Sequence, residues 1–316
     1  MTMTAKRIGF LVLGLIVVGG AMGYRLRNPE QLSLDAAARR QAPGSFVTLS
    51  DGITHYDVAG PDSGQRVVLI HGFSVPSYIW DSTVVGLSAA GFRVARYDTY
   101  GRGYSDRPGV EYSFDLFDRQ LLQLLDSLGW RDPVDLVGLS FGGPVSAGFL
   151  GRHPDRVRSL TLIDPAAGPT GQLPWSVRLP VLGPLVWQMQ AVPGMADGQL
   201  SDFVEPAKWP DWPDRYRVQM QYRGFGWALL STRLALGAVS LDSVYARAGS
   251  TGKPTMLLWG TEDQTVPIGL APSVLQGLPN AQYHPISGAG HLPHMEQAQL
   301  VDSLLRTFLR PAGLAR

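Results

Sequence analysis

The chain has 316 residues, 45% of them hydrophobic and 17% charged, which supplies a substantial core and excludes a disordered or low-complexity protein. A formal net charge of +1 gives neither a broad basic surface nor an acidic tail, so the expected partner is a small or apolar molecule and not nucleic acid. With no cysteine, disulfides, thiolate metal sites and cysteine nucleophiles are excluded, while the compartment stays open.

At the N-terminus, Lys6 and Arg7 precede an uncharged run, IGFLVLGLIVVGGAMGY from Ile8 to Tyr24. As a helix it would measure roughly 25 Å, close to the thickness of a hydrocarbon core. The run predicts a membrane-directed segment over residues 1–24, with the protein held at a membrane by a single-pass anchor. The alternative is a signal peptide cleaved near Ala21-Met22-Gly23, which would make the protein secreted. Arg25, Arg27, Arg39 and Arg40 follow the run, so the positive-inside rule leaves its orientation open. Residues 25–45, polar and alanine-rich with Pro43-Gly44 near their end, read as a juxtamembrane linker or short helix.

From Phe46 onward, short β-branched runs alternate with amphipathic stretches. FVTLS and ITHYDVAG flank Asp51-Gly52, a two-residue hairpin signal. VVLIH, FRVARYD, VDLVGLS, SLTLID and TMLLWG are almost continuously apolar, as strands buried on both faces must be. Helical patterns fall at 78–90, 113–129, 141–152, 268–277 and 292–310. Together these predict an α/β protein, a mostly parallel sheet with right-handed crossovers and a leading antiparallel hairpin. The rhythm breaks after Asp164. Between Pro165 and Gly252 come many prolines and five tryptophans (Trp175, Trp187, Trp209, Trp212 and Trp227). A helical cap over 165–252 is expected there, inserted between core parts 46–164 and 253–316.

In the stretch VDLVGLSFGG, Ser140 stands where a strand becomes a helix, between Gly138 and Gly142. Glycines serve such turns for steric reasons alone, so the motif by itself fits either a nucleophile or a plain turn. A bulky side chain at Gly138 or Gly142 would collide with adjoining strands, and the helix N-terminus behind Ser140 faces a developing oxyanion. A serine hydroxyl also needs a base, and the base needs a third group to hold it. Asp263 lies in the loop after TMLLWG, and His291 follows the next strand, AQYHPI. Carboxyl ends of parallel strands are where open α/β sheets build their sites, so Ser140, Asp263 and His291 fall on one edge. Asp164, which also ends a strand, is the alternative acid. His294 stands three residues beyond His291, but Glu296 does not complete a zinc-binding HExxH pattern, so no metal is expected and His294 reads as a helix-start or supporting residue.

Five motifs in order, His71-Gly72-Phe73, Tyr97 to Ser105, Gly138 to Gly143, Gly260 to Pro267 and Gly288-Ala289-Gly290-His291, make the sequence resemble the α/β-hydrolase superfamily over residues 46–310. The resemblance implies a capped α/β-hydrolase fold with Ser140, Asp263 and His291 as catalytic triad and no cofactor. It further implies that the backbone N–H groups of Phe73 and Phe141 form the oxyanion hole, that Gly72 lets the backbone approach and that His71 is structural. Asp98, Arg102 and Ser105 would organise the loop after their strand. A serine where haloalkane dehalogenases and epoxide hydrolases carry aspartate points to acyl chemistry. The implied activity is that of a serine esterase or lipase acting on a hydrophobic carboxylic ester. A carbon–carbon bond hydrolase with the same triad and a non-catalytic ligand-binding member of the fold are the rivals.

Overall fold

In the computed structural model, the described residues are 22–169, 173–180 and 182–310, with Phe10 and residues 18–20. The apolar runs pair into one sheet with strand order β1-β2-β4-β3-β5-β6-β7-β8. These are β1 (Ser45–Leu49), β2 (Gly52–Ala59), β3 (Arg66–Ile70), β4 (Arg93–Tyr97), β5 (Val134–Leu139), β6 (Val157–Ile163), β7 (Thr255–Gly260) and β8 (Gln282–Ile286). β2 runs antiparallel to both β1 and β4, and the remaining pairs are parallel. The hairpin register joins Leu49 to Gly52, so its loop is Ser50-Asp51, one residue before the sequence signal. Gly52 serves a close approach instead: a Cβ there would sit 2.8 Å from Asp106, whose carboxylate accepts the Ile53 N–H at 2.6 Å.

Alternation along the strands explains why they are apolar throughout. Val68, Ile70, Leu136 and Leu257 enter the core on one face of the sheet, and Val67, Leu69, Val137 and Leu258 enter the core on the other. After β3 comes α1 (Asp81–Ala89), after β4 α2 (Phe114–Ser127) and after β5 α3 (Gly142–Arg152). Between β6 and β7 lie α4 (Leu182–Gln190), α5 (Trp212–Met220), α6 (Phe225–Gly237) and α7 (Leu241–Gly249), followed later by α8 (Ala271–Gly277) and α9 (Ala298–Leu309). Residues of α2, α3, α7 and α8 fill one core, and those of α1 and α9 the other, where Trp212, Tyr216 and Phe225 of the inserted segment join them. Helix α7 packs directly on α3 and α8 and so belongs to the layer beside the sheet.

The single-pass anchor expected over residues 1–24, and the membrane localisation drawn from it, do not stand: among the described residues no helix is long and apolar enough to cross a membrane. Most of the run Ile8 to Tyr24 lies outside the described residues. The described helical stretch 22–27 contains six residues including Arg25 and Arg27, roughly 9 Å of helix, too short and too charged to span. Beyond it the chain is docked instead of hanging free. The Glu30 carboxylate accepts the N–H groups of Gly224 at 2.6 Å and Gly226 at 2.7 Å, capping α6 where its dipole favours an anion. Gln188 of α4 donates to Asn28 at 2.8 Å, and Leu32 exchanges backbone hydrogen bonds with Gln221 and Arg223.

Candidate active site

Ser140 follows β5 directly and has φ of +50°, a left-handed conformation that costs a non-glycine residue of order 1–3 kcal/mol unless its surroundings enforce it. They do. The Ser140 N–H donates to Ile163 O at 2.9 Å, and its carbonyl accepts from Gly143 at 2.9 Å and Ala166 at 3.0 Å. Two glycines allow the tight turn: a Cβ on Gly138 would lie 2.3 Å from Gly142 O, and one on Gly142 would lie 2.3 Å from Ile70 O. Gly72 brings the other loop against the serine, its virtual Cβ 3.3 Å from Ser140 Cβ.

His291 and Asp263 meet in the loops after β8 and β7. The His291 Nδ1–H donates to Asp263 Oδ2 at 2.8 Å, and both residues are buried. The other oxygen of Asp263 accepts the N–H groups of Thr265 at 2.8 Å and Val266 at 2.9 Å. Burial disfavours a charged imidazole, but the hydrogen bond and charge of Asp263, aided by Asp202, outweigh it and hold the His291 pKa above its ordinary 6.5. This arrangement leaves Nε2 as the basic nitrogen. Among the described residues neither it nor Ser140 Oγ has a side-chain hydrogen-bond partner, so the structure joins histidine to acid without closing a serine–histidine bond.

Among the described residues, the N–H groups of Phe73 and Phe141 donate to no protein acceptor. Phe141 precedes α3, whose N-terminus has no side-chain cap. The Phe141 ring packs away into the core against Phe73, Phe114 and Phe117. His71 holds the first of these loops: its Nδ1–H donates to Gly72 O at 2.8 Å and its Nε2 accepts the Thr99 N–H at 2.9 Å. Burial lowers its pKa to about 4, so it is neutral. Arg102 donates from Nε to Phe73 O at 2.8 Å, fixing the same loop from below.

The two remaining acid and histidine candidates fall into place. His294 donates from Nε2 to Ile79 O at 3.1 Å and packs at a tilt against Trp80, with ring centroids 4.5 Å apart. Burial lowers its pKa to about 3. Asp164 is not the hydrogen-bond partner of His291, yet it stands beside that pair. Asp164, Asp263 and His291 each offer one ligand atom within 4.8 Å of the others, a spacing a metal ion could use. The hydrogen bonds just described already occupy the Asp263 oxygens and His291 Nδ1.

The family profile of the alpha/beta hydrolase fold matches residues 65–298. The chain belongs to this family. A 2-hydroxy-6-oxononadienedioate/2-hydroxy-6-oxononatrienedioate hydrolase of Cupriavidus pinatubonensis is 29% identical over 277 residues, 84% of this chain and 94% of the relative. A thermophilic esterase from Thermogutta terrifontis superposes with a TM-score of 0.68 at 25% identity, covering 85% of this chain and 98% of the esterase. The enol-lactonase of Burkholderia xenovorans LB400 superposes with a TM-score of 0.71 at 23% identity over 84% of this chain and 99% of its own, a likeness of fold. The chain is thus a hydrolase of the alpha/beta hydrolase fold.

One contact to this hydrolase's site has no sequence signal. Asp202, in the inserted segment, accepts the His291 N–H on its backbone oxygen at 2.9 Å and the Thr265 hydroxyl on its carboxylate at 2.6 Å. Beside it, Phe203 stacks on Trp209 at 4.9 Å and meets Trp212 edge-on at 5.5 Å. No motif surrounds Asp202, and only the folded chain brings it to His291.

Proposed function

We propose that this protein is a serine hydrolase that cleaves carboxylic esters of small hydrophobic acids or alcohols through an acyl-enzyme. The observation that carries the reading is a strained, turn-tip Ser140 at the same carboxyl edge of the sheet as an acid-oriented His291, with two N–H groups on the neighbouring loops that have no protein acceptor among the described residues. In this reading Nε2 of His291 takes the Ser140 proton as Oγ bonds to the carbonyl carbon. The displaced electron pair becomes an oxyanion held by the Phe73 and Phe141 N–H groups. Collapse breaks the bond to the leaving oxygen, which departs with the proton from His291. Water, deprotonated by the same nitrogen, then releases the acid and frees Ser140. Asp263 orients the imidazole and stabilises its charged form.

Phe203, Trp209 and Trp212 pack together beside Asp202, which makes the surroundings of His291 in the inserted segment apolar and favours an apolar substrate in this reading. Support from a neighbouring membrane span is withdrawn with that span.

A second reading has comparable support. The Cupriavidus pinatubonensis relative is a 2-hydroxy-6-oxononadienedioate/2-hydroxy-6-oxononatrienedioate hydrolase, so in this reading the same triad would break a carbon–carbon bond, with the leaving carbanion protonated in place of an alkoxide. Two assays separate these possibilities. Fluorophosphonate labels the folded wild type and not Ser140→Ala if the nucleophile is right, and an unlabelled wild type sinks both readings. The higher kcat/KM between a p-nitrophenyl ester series and a vinylogous diketone ring-fission product then decides between ester and carbon–carbon chemistry.

A further inference from the structure

Among the described residues two that are not glycine have positive φ: Ser140 at +50° and Asp164 at +43°. They end the neighbouring strands β5 and β6, and the hydrogen bonds of Ser140 to Ile163 and Ala166 tie the two turns together. Strain of this kind persists where the surrounding fold enforces it, commonly at working sites. The strain at Ser140 belongs to the nucleophile turn. That at Asp164 has no part in the mechanism above.

Asp164 is fully buried. Its Oδ1 accepts the Gly260 N–H at 2.7 Å, while Oδ2 has no donor among the described residues. Asp263, its neighbour, is richly supplied: two backbone N–H groups reach Oδ1 and the His291 imidazole reaches Oδ2. Two buried carboxyl groups with oxygens within 4.8 Å of one another cannot both carry charge cheaply. The proton therefore belongs on the donor-poor member. Burial and the adjacent Asp263 push the Asp164 pKa well above the carboxylate range, and Glu296 adds to the same push.

We infer that Asp164 is a positioning residue, a neutral carboxylic acid whose O–H donates to the Asp263 carboxylate, so that the two acids present one negative charge and one geometry to His291. The inference rests on the Ser140–Asp263–His291 reading. The other titratable groups that face this pair are Asp202 from the inserted segment, Glu296 from the turn before α9 and Tyr283 of β8. Asp202 is half-buried, and burial raises its pKa above the ordinary carboxylate value while the neighbouring His291 opposes that shift.

The test uses the full chain and two variants. Asp164→Asn keeps the shape, the acceptor for Gly260 and a donor toward Asp263, and it cannot ionise. Asp164→Leu removes the donor. Asp164→Leu should lose about 100-fold in kcat with little change in KM, because the acid behind His291 is no longer held. Asp164→Asn should recover most of that loss. The acid limb of its kcat/KM profile should coincide with the wild type, because a neutral group has replaced a neutral group. If Asp164 were ionised, Asn would remove a negative charge beside His291 and move that limb down by about one pH unit, which would overturn the inference. Infrared difference spectra at neutral pH should show a protonated carboxyl band in the wild type that vanishes in Asp164→Asn. A wild type without the band, or a variant that keeps it, would also overturn the inference, and this readout survives if Asp164→Leu fails to fold. Fluorophosphonate labelling run alongside isolates the underlying reading: an unlabelled wild type rejects the triad, while a labelled wild type without the band rejects only the role of Asp164.

Discussion

His55 Nδ1 lies 2.7 Å from Asp98 Oδ2, and His291 Nδ1 lies 2.8 Å from Asp263 Oδ2, so the described residues include two buried histidine–aspartate pairs of nearly equal length. They differ at the far nitrogen. His55 Nε2 is bonded to the Pro43 carbonyl at 2.6 Å, whereas His291 Nε2 has no protein partner among the described residues. Both partners of His55 are acceptors, which favours the imidazole with two protons, and the ring cross-links β2, the chain before β1 and the loop after β4. Asp98 extends that link by accepting the N–H groups of Ser77 at 2.8 Å and Tyr104 at 2.9 Å. Much the same bond thus makes a brace when both ring nitrogens are tied, and leaves a nitrogen available for the proposed base role when one is open.

Substitutions should separate the two pairs cleanly. The largest effect is His291→Ala, which should cost about 10⁴-fold or more in kcat with only a small change in melting temperature. His55→Gln should reverse that pattern, and loss of turnover matching that of His291→Ala would break the comparison. Next comes Asp98→Ala, which strands His55 and two backbone N–H groups in the interior. It should destabilise the fold by about 3–5 kcal/mol in denaturant titrations. Gly142→Ala should be milder in turnover, about 100-fold, because a Cβ set 2.3 Å from Ile70 O displaces the serine turn. Steady-state kinetics on folded protein would check it.

The pH responses give the smaller effects. The proposed mechanism requires neutral His291, whose pKa is raised, so kcat/KM should fall as pH drops through a value above 6.5. That limb should not move in His55→Gln. For His55, burial opposes protonation but the charge and hydrogen bond of Asp98 prevail, and its pKa too is raised from 6.5. A raised pKa stabilises the fold fully below the unfolded value and loses that contribution as pH rises through the folded one. Melts of wild type and His55→Gln should therefore diverge most on the acid side of 6.5 and converge as pH rises on the alkaline side.

Much of this was legible in the chain itself. The strand runs are apolar on both faces because both faces are covered, and Ser140, Asp263 and His291 stand out as candidates because each lies in a glycine-marked loop beyond the end of a strand. What stayed hidden depends on contacts between distant segments. His55 sits in ITHYDVAG as an ordinary strand residue, and nothing nearby shows that Asp98 and Pro43 will meet it. Asp164 reads as a rival acid because its position on a strand end is visible while its missing donor is not. The apolar run at the N-terminus misled for a related reason: hydropathy registers the run without the docked arm that follows it.

That arm sets a boundary for anyone shortening the chain. Starting the polypeptide at Ser45 would retain every strand and every residue of the site, and a family profile beginning at residue 65 invites such a cut. It would also remove Glu30, the carboxylate that caps a helix 194 residues further on. The N-terminus of α6 would then expose backbone donors with no anion to meet them, beside a segment whose Asp202 holds the His291 backbone. The shortest faithful version of this enzyme therefore begins before Asn28, well outside the region that sequence similarity marks as its domain.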